Sequence, residues 1–300
     1  MTIVPPENGE SRRPRGPRDP GDAWVVAESG DRYWGRFGAA GLLAVDPDHG
    51  VLLQHRVSWS HFGGTWGLPG GARHAGESAR AGALREAQEE AGVPDGSIRL
   101  RVVSVLDLQI WSYTTVVGDV IEPFEPTISD PESVALEWVP VEAVSDRPLH
   151  PGFAAAWERL RGLLAVRPAI VVDAANVVGS VPDGWWKDRA GAADRLLARV
   201  SRVVDAGVPA AALDLTEDTW FPSWTVVLEG QARAAEDVDG VAVVRARGAG
   251  DDTIAADAAR LVADGRAVTV VTSDRGLAQR VQNAGAAVRG AGWLLTLFDA

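Results

Sequence analysis

Apolar and polar positions follow two rhythms along this chain of 300 residues. From about residue 24 to 166, short apolar runs at 41–45, 51–54, 100–106, 114–120 and 135–139 read as strands. They surround an alanine-rich segment at 77–92 and an amphipathic one at 152–164, where the apolar period is helical. This predicts an α+β or α/β/α arrangement with one prominent helix. Arg167-Pro168 then breaks the pattern and is the predicted boundary. Beyond it, strand-like runs at 169–173, 224–228, 241–245, 267–272 and near 287 alternate with helical ones at 192–205, 231–236, 251–264 and 276–283. Such alternation predicts an α/β fold with a doubly wound parallel sheet. The expected organisation is a disordered tail at 1–22, rich in Pro, Gly and charge, a first domain at 23–167 and a second at 168–300.

Charge narrows the classes of function. The net charge is −12, and neither domain is basic: residues 23–166 carry 11 basic and 19 acidic side chains, residues 167–300 carry 14 and 18. Neither domain thus has the basic surplus expected of a protein that grips nucleic acid through its phosphates, and acidic sites suit divalent cations bridging to a phosphate substrate. The absence of cysteine excludes disulfides and thiolate metal sites. No apolar run approaches the roughly 20 residues of a membrane span, and the first residues lack the apolar centre of a secretion signal. A cytoplasmic protein without a membrane partner is the expectation.

The segment 71–93, GARHAGESARAGALREAQEEAGV, concentrates acid among small residues. Gly92 suits the position just past a helix, and Glu77 and Ser78 suit its start. Ala79, Ala83, Leu84, Ala87 and Ala91 fall along one face, small enough to let the helix lie close to a sheet. Glu86, Glu89 and Glu90 stand at i, i+3 and i+4 and are expected to share the opposite face. By themselves they suit an ordinary solvated helix surface. Arg85, four residues before Glu89, braces one of them, but one guanidinium does not neutralise three carboxylates. Clustered carboxylate oxygens are what Mg²⁺ or Mn²⁺ prefers.

The flanking residues favour the metal. Gly71, Glu77, Arg85, Glu86, Glu89, Glu90, Gly92 and Val93 fall in register with G-x5-E-x7-R-E-U-x-E-E-x-G-U, where U is a bulky apolar residue. The stretch resembles the Nudix box of the Nudix (MutT-like) hydrolases, with one departure, Ala87 at the first U. The resemblance runs from about residue 34 to 161. It implies an α/β/α sandwich with a mixed sheet, and hydrolysis of the diphosphate linkage of a nucleoside diphosphate joined to a group X, a nucleoside triphosphate included. The reaction it implies is metal-assisted attack of water on phosphorus. It further implies that Glu86, Glu89 and Glu90 take the metal and base positions, that Glu77 helps to hold the loop and metal, and that Arg85 orients them. Gly70 and Gly71 let the backbone approach phosphates. Arg56 is expected on phosphate or substrate, and Trp66, with Trp59 and Phe62, against a base, although these aromatics suit ordinary packing too. Glu132 and Glu137 are candidates for a further carboxylate.

In the second half, acids fall at strand ends. Asp173 and Asn176 follow the first strand, Asp251 and Asp252 open a helix, and Asp274 ends a strand. In a parallel sheet such positions converge on the carboxyl edge, where ligands bind. Each aspartate also suits a helix cap. A G-x-G-x-x-G turn and a D-x-D motif are both absent after the first strand. The combination VVDAAN, GDD and VVTSDRGLAQRV is similar to PIN-like nucleases of the NYN group, over about residues 168–290. The resemblance implies metal-dependent RNA cleavage by Asp173, Asp251 or Asp252, and Asp274, with Asn176 assisting. Arg189, Arg245, Arg247 and Arg275 form a candidate basic rim, and Trp185 and Trp186 candidate base platforms.

The expected protein is therefore a Nudix hydrolase fused to a PIN-like domain, using Mg²⁺ or Mn²⁺ on a nucleotide, with RNA as a partner of the second domain. The alternatives are an RNA endonuclease with an accessory Nudix domain, and a non-catalytic sensor of nucleotide and RNA. The three glutamates in register disfavour the sensor.

Overall fold

The computed structural model describes residues 1–5, 19–182 and 184–299, and the chain divides into two compact units, Met1–Leu163 and Leu164–Ala300. The first unit begins with a small antiparallel sheet of β1 (Thr2–Val4), β2 (Trp24–Val26) and β3 (Arg32–Trp34). The expected tail at 1–22 thus fails at its start, because Thr2, Ile3 and Val4 are β-branched and find a partner strand. Residues 6–18 lie outside the described residues.

The main sheet is built from β4 (Ala39–Asp46), β5 (Gly50–Arg56), β8 (Ile98–Asp107), β9 (Ser112–Val120) and β10 (Ser133–Val139). Within the first unit it runs β10-β5-β4-β9-β8, with β4 and β9 parallel and the other neighbours antiparallel. Two short strands complete it: β6 (Trp66–Gly67) on β5 and β7 (Gly70–Ala72) on β4. Helix α1 (Ala79–Ala91) follows β7, and α2 (Pro151–Leu163) ends the unit. Every residue of β4 is buried. Ala40, Leu42 and Ala44, at period two, meet Ala83, Ala87 and Ala91 of α1 in one core cluster. Ala87, short for its position, is fully buried there. Its small side chain lets the helix settle close to the sheet.

The second unit holds a five-stranded, wholly parallel sheet in the order β15-β14-β11-β16-β17. Its strands are β11 (Pro168–Asp173), β14 (Ser223–Leu228), β15 (Val241–Arg245), β16 (Ala267–Val271) and β17 (Ala287–Arg289). A separate hairpin, β12 (Val208–Pro209) with β13 (Thr219–Trp220), interrupts the alternation. Helices α3 (Ala174–Gly179), α4 (Arg189–Ala206) and α7 (Ala291–Phe298) cover one face, and α5 (Gly250–Ala263) and α6 (Arg275–Asn283) the other. Along β11, Ile170 and Val172 enter the first core while Ala169 and Val171 enter the second. The sheet is therefore doubly wound, and chain order reverses between β11 and β16. Among the described residues no helix is long and apolar enough to cross a membrane.

Candidate active site

Helix α1 is capped at both ends by the residues its sequence suggests. The Ser78 side chain accepts from the Ala81 amide at 3.1 Å, and Gly92 adopts a left-handed φ of 66°. The expected common face for the three glutamates is only partly formed. Glu89 is exposed, but Glu86 and Glu90, 3% and 7% exposed, turn inward beside the alanine face. Residues 86 and 90 are one turn apart, and the slim alanines leave room for both to reach under the loop that enters β7.

That loop is glycine for steric reasons. A methyl group at Gly70 would lie 2.5 Å from the Ala40 carbonyl oxygen, and one at Gly71 would lie 2.8 Å from the Glu86 carboxylate. The Gly70 amide donates to Glu90 Oε2 at 2.8 Å. Burial, reinforced by the charge of Glu86, pushes the Glu90 carboxyl up to about 8, against the pull of the Gly70 amide and Arg56.

Arg85 ties the other acids together. Its Nε and Nη2 donate to the two oxygens of Glu77 at 2.8 and 2.9 Å. Nη1 reaches Glu86 at 2.7 Å and Glu89 at 3.2 Å, and Nη2 also donates to the Ala72 carbonyl. The Arg85 hydrogen bonds hold Glu77 down at about 2, against its burial and with help from the His74 amide. Glu77 thereby fixes the loop before the helix, since the His74 amide donates to it at 2.9 Å.

Arg56 ends β5, donates from Nε to the His61 carbonyl at 3.3 Å, and lies near enough for its charge to act on Glu90 and His150. Trp66 is in a different position from the one expected. Its ring is 5% exposed, stacked on His55 at 4.7 Å with Arg147 over it at 4.7 Å, because β6 tucks it beneath the loop. Trp59 and Phe62, 58% and 46% exposed, are the aromatics presented to solvent. Phe62 meets His150 edge-on at 4.8 Å. Burial, with Arg56 and His61, lowers His150 to about 4, so it is neutral at pH 7 and its Nδ1 accepts from the Gly152 amide. Glu137 is not a spare carboxylate, since it pairs with Arg147 at 2.6 Å. Glu132 is half-buried, and its amide closes a turn on Asp130. Asp130 is the acid whose charge acts on Glu90, together with Glu86. The sequence marks it only as the acid that opens that turn, and the expected set omits it.

In the second unit, Asp173 ends β11 and caps α3. Its Oδ1 accepts from the Asn176 amide at 3.0 Å and its Oδ2 from the Thr272 hydroxyl at 2.8 Å. Asn176 Oδ1 in turn accepts from the Ser273 amide at 2.8 Å, fastening α3 to the segment that follows β16. Burial raises the Asp173 carboxyl despite those hydrogen bonds, and Asp251 and Glu229 push in the same direction. Glu229 escaped the motif reading because it follows β14 without a signature. Its carboxylate accepts from the Gly250 amide at 2.6 Å and anchors the start of α5. Asp252 does not join this group; it points to Arg280 at 2.7 Å. Asp274 caps α6 through the Leu277 amide at 2.7 Å.

Among the described residues no three His, Asp or Glu side chains are grouped as a cation site in either unit. Glu86 and Glu89 meet on the Arg85 guanidinium and the charge of Glu86 acts on Glu90, whereas Asp252 and Asp274 take partners apart from Asp173. Glu86, Glu89, Glu90, Asp173, Asp252 and Asp274 each meet a neighbouring amide, hydroxyl or arginine.

Comparison with known proteins places the first unit. The family model described as the NUDIX domain matches residues 35–160. A Mycobacterium tuberculosis protein named "Putative 8-oxo-dGTP diphosphatase 3" is 51% identical over 161 residues, covering 50% of this chain and 74% of the relative. The chain belongs to the Nudix family. A Bifidobacterium longum nucleoside triphosphate pyrophosphatase/Nudix hydrolase fusion protein is 40% identical, over 48% of this chain and 32% of that one. Among solved structures, RenU, a Nudix hydrolase from M. smegmatis, is 48% identical with a TM-score of 0.45, covering 48% of this chain and 96% of its own.

Nudix hydrolases act on pyrophosphate bonds of nucleotide substrates, generally with divalent metal ions such as Mg²⁺. The Nudix site of this chain fits such an ion by its donor chemistry. Its side chains offer hard carboxylate oxygens, and two of them, Glu86 and Glu90, are buried like charges with Arg85 as the neighbouring cation.

Proposed function

We propose that the first unit hydrolyses a nucleoside triphosphate to the monophosphate and pyrophosphate, with 8-oxo-dGTP the first candidate because of the relative 51% identical to this chain. The observation that carries this reading is the burial of Glu86 and Glu90 beneath the glycine loop, in register with the rest of the box. Glu86, Glu89 and Glu90 would hold a divalent cation, which supplies charge neutralisation of the phosphates and an acidified water. Gly70 and Gly71 present bare backbone to the phosphate chain. Arg85 orients Glu77, Glu86 and Glu89 at once, and Arg56 adds positive charge on the loop side. Trp59 and Phe62, rather than Trp66, offer a face to a base. The test is a hydrolysis screen with Mg²⁺ and Mn²⁺ over nucleoside triphosphates, 8-oxo-dGTP, ADP-ribose, dinucleoside polyphosphates and capped RNA ends, with products separated by chromatography. Monophosphate and pyrophosphate from a triphosphate, lost in Glu86→Gln, is the expected result. Turnover confined to the other substrates overturns it.

We propose further that the units correspond to a Nudix domain at 23–167 and a PIN-like domain at 168–300 of a cytoplasmic protein. In the second, Asp173 with Asp251 and Glu229 would support metal-dependent cleavage of RNA. The strand order and the placement of Asp173 beside the β11/β16 reversal support this reading. Its test is degradation of a labelled RNA with Mn²⁺, expected to vanish in Asp173→Asn. An RNA that stays intact with the wild type removes the nuclease role.

A further inference from the structure

An open cleft of about 920 Å³ in the second unit is lined by Lys187, Asp188 and Arg189 at the start of α4, by Gln231 and Arg233 in the turn Gly230–Ala234, and by Arg245 at the end of β15. The strands β14 and β15 both end beside it, so it opens at the carboxyl edge of the parallel sheet, where such sheets bind ligands. Lys187, Arg189, Arg233 and Arg245 face a single acidic lining residue, Asp188, in a half of the chain that is acidic as a whole.

The hydrogen bonds sort these charges. Asp188 is committed to capping α4, accepting from the Gly191 amide at 2.9 Å. Arg245 is a brace: it donates to the carbonyls of Arg233 and Ala235 and pairs with Asp237 at 2.8 Å, which fixes the turn. Lys187, Arg189 and Arg233 are exposed, and among the described residues none of them has a carboxylate within ion-pair distance, although Arg233 also donates from Nε to the Gly230 carbonyl at 3.1 Å. Arg189 lies over the Trp185 ring at 5.4 Å, and Trp186, next to Lys187, is 57% exposed.

These features select the ligand. A small molecule held in a pocket buries most of its surface against apolar walls, and this cleft has no large apolar lining residue. A strand of linked phosphates needs only spaced cations, an open groove and an aromatic face for a base. We propose that the cleft holds the phosphate backbone of a single-stranded nucleic acid on Lys187, Arg189 and Arg233, with one base stacked on Trp186. The site shares no residue with the group around Asp173, so strand binding does not depend on strand cleavage.

The experiment is fluorescence anisotropy of labelled oligo-U and oligo-dT of about 12 nucleotides, with the full chain in EDTA so that no metal-dependent step occurs. Three phosphate contacts predict that log affinity falls with log salt at a slope of about −2. The double variant Arg189→Ala, Arg233→Ala is expected to bind at least about tenfold more weakly, with a slope near −0.7. Trp186→Ala is expected to weaken binding about tenfold without changing the slope. Lys187→Gln, at an exposed and unbonded position, repeats the test where folding is not at risk. Asp173→Asn is expected to bind as wild type, which separates this site from the nuclease reading. Equal binding by U and dT oligomers fits contacts to phosphate and a base face without the sugar, and a preference for U points to RNA. Wild-type affinity in both cation variants overturns the proposal. So does complete displacement by inorganic tripolyphosphate at equal phosphate concentration, which would make the cleft a small-anion pocket.

Discussion

The Gly70 amide and the Glu90 carboxylate, 20 residues apart in the chain, meet in a 2.8 Å hydrogen bond beneath the loop that enters β7. One side chain thus reports both the shape of the glycine loop and the electrostatics of the helix. The amide is the partner that favours the charged carboxylate, while burial and Glu86 oppose it.

The first prediction follows from that balance. The Glu90 carboxyl is raised from its unfolded value of 4.5 to about 8, so the folded state binds more protons across that interval. Stability is present below pH 4.5 and is lost as pH rises toward 8. Glu90→Gln keeps an oxygen for the Gly70 amide and removes the charge. In EDTA at pH 8 the variant is expected to be more stable than wild type by on the order of 2 kcal/mol, a difference that fades toward pH 5. It is expected to be inactive toward nucleotides at every pH. Calorimetry at pH 5 and 8 reads the first effect, and a variant less stable at pH 8 refutes it.

Glu77 titrates the other way. Its pKa is depressed to about 2, so its contribution is present above pH 4.5 and disappears as pH falls toward 2. Glu77→Gln breaks the two-pronged pair with Arg85 and leaves that guanidinium, 19% exposed, with less compensation. The expected loss at pH 7 is about 2–3 kcal/mol, shrinking to near zero by pH 2. Urea midpoints across that range measure it, and a loss independent of pH contradicts the assignment.

Neighbouring glycines are expected to fail differently. The methyl of Gly70→Ala meets backbone atoms of Ala40 and Gly41 at 2.5 Å, which do not yield, so the fold loses more than about 2 kcal/mol. The methyl of Gly71→Ala meets the tip of the Glu86 side chain at 2.8 Å, which rotates away. That variant is expected to melt within a few degrees of wild type and to lose at least about tenfold in kcat as the carboxylate leaves its place. Equal thermal losses in the two variants remove the distinction.

The hydrophobic rhythm revealed most of the frame, because β4 is a wholly buried apolar run and the alternate residues of β11 feed opposite cores. The box was legible because its spacing is fixed by the helix and loop that it builds. Less visible was anything decided by a partner distant in sequence. Thr2–Val4 is a strand only because Trp24–Val26 is there to pair with it. Helix α7 is apolar throughout its early turns and lacks the contrast that marks a helix from sequence. Glu86 and Glu90 were expected to face outward with Glu89, since helical spacing reports which residues share a face but not how far that face dips under a neighbouring loop. Asp130 and Glu229 carry no motif at all; they matter only through the buried carboxyls they face.

The last prediction separates a metal site from a set of helix caps in the second unit. Asp173 and Asp274 both cap helices, and the structure groups neither with enough other acids to hold a cation. If caps are their whole role, Asp274→Ala costs about 1 kcal/mol and Mn²⁺ changes nothing. If Asp173 also binds metal, its buried carboxyl, already raised by burial and by Asp251 and Glu229, is relieved when a cation arrives. The measurement must silence the Nudix site first, so the full chain carries Glu86→Gln and Glu90→Gln throughout. In that background Mn²⁺ is expected to raise the melting temperature, and Asp173→Asn to abolish the rise. Asp252→Ala is expected to leave the rise unchanged, because Arg280 and not the sheet edge holds that side chain. A melting temperature indifferent to Mn²⁺ in the silenced background would reduce these aspartates to caps and confine metal chemistry to the Nudix unit.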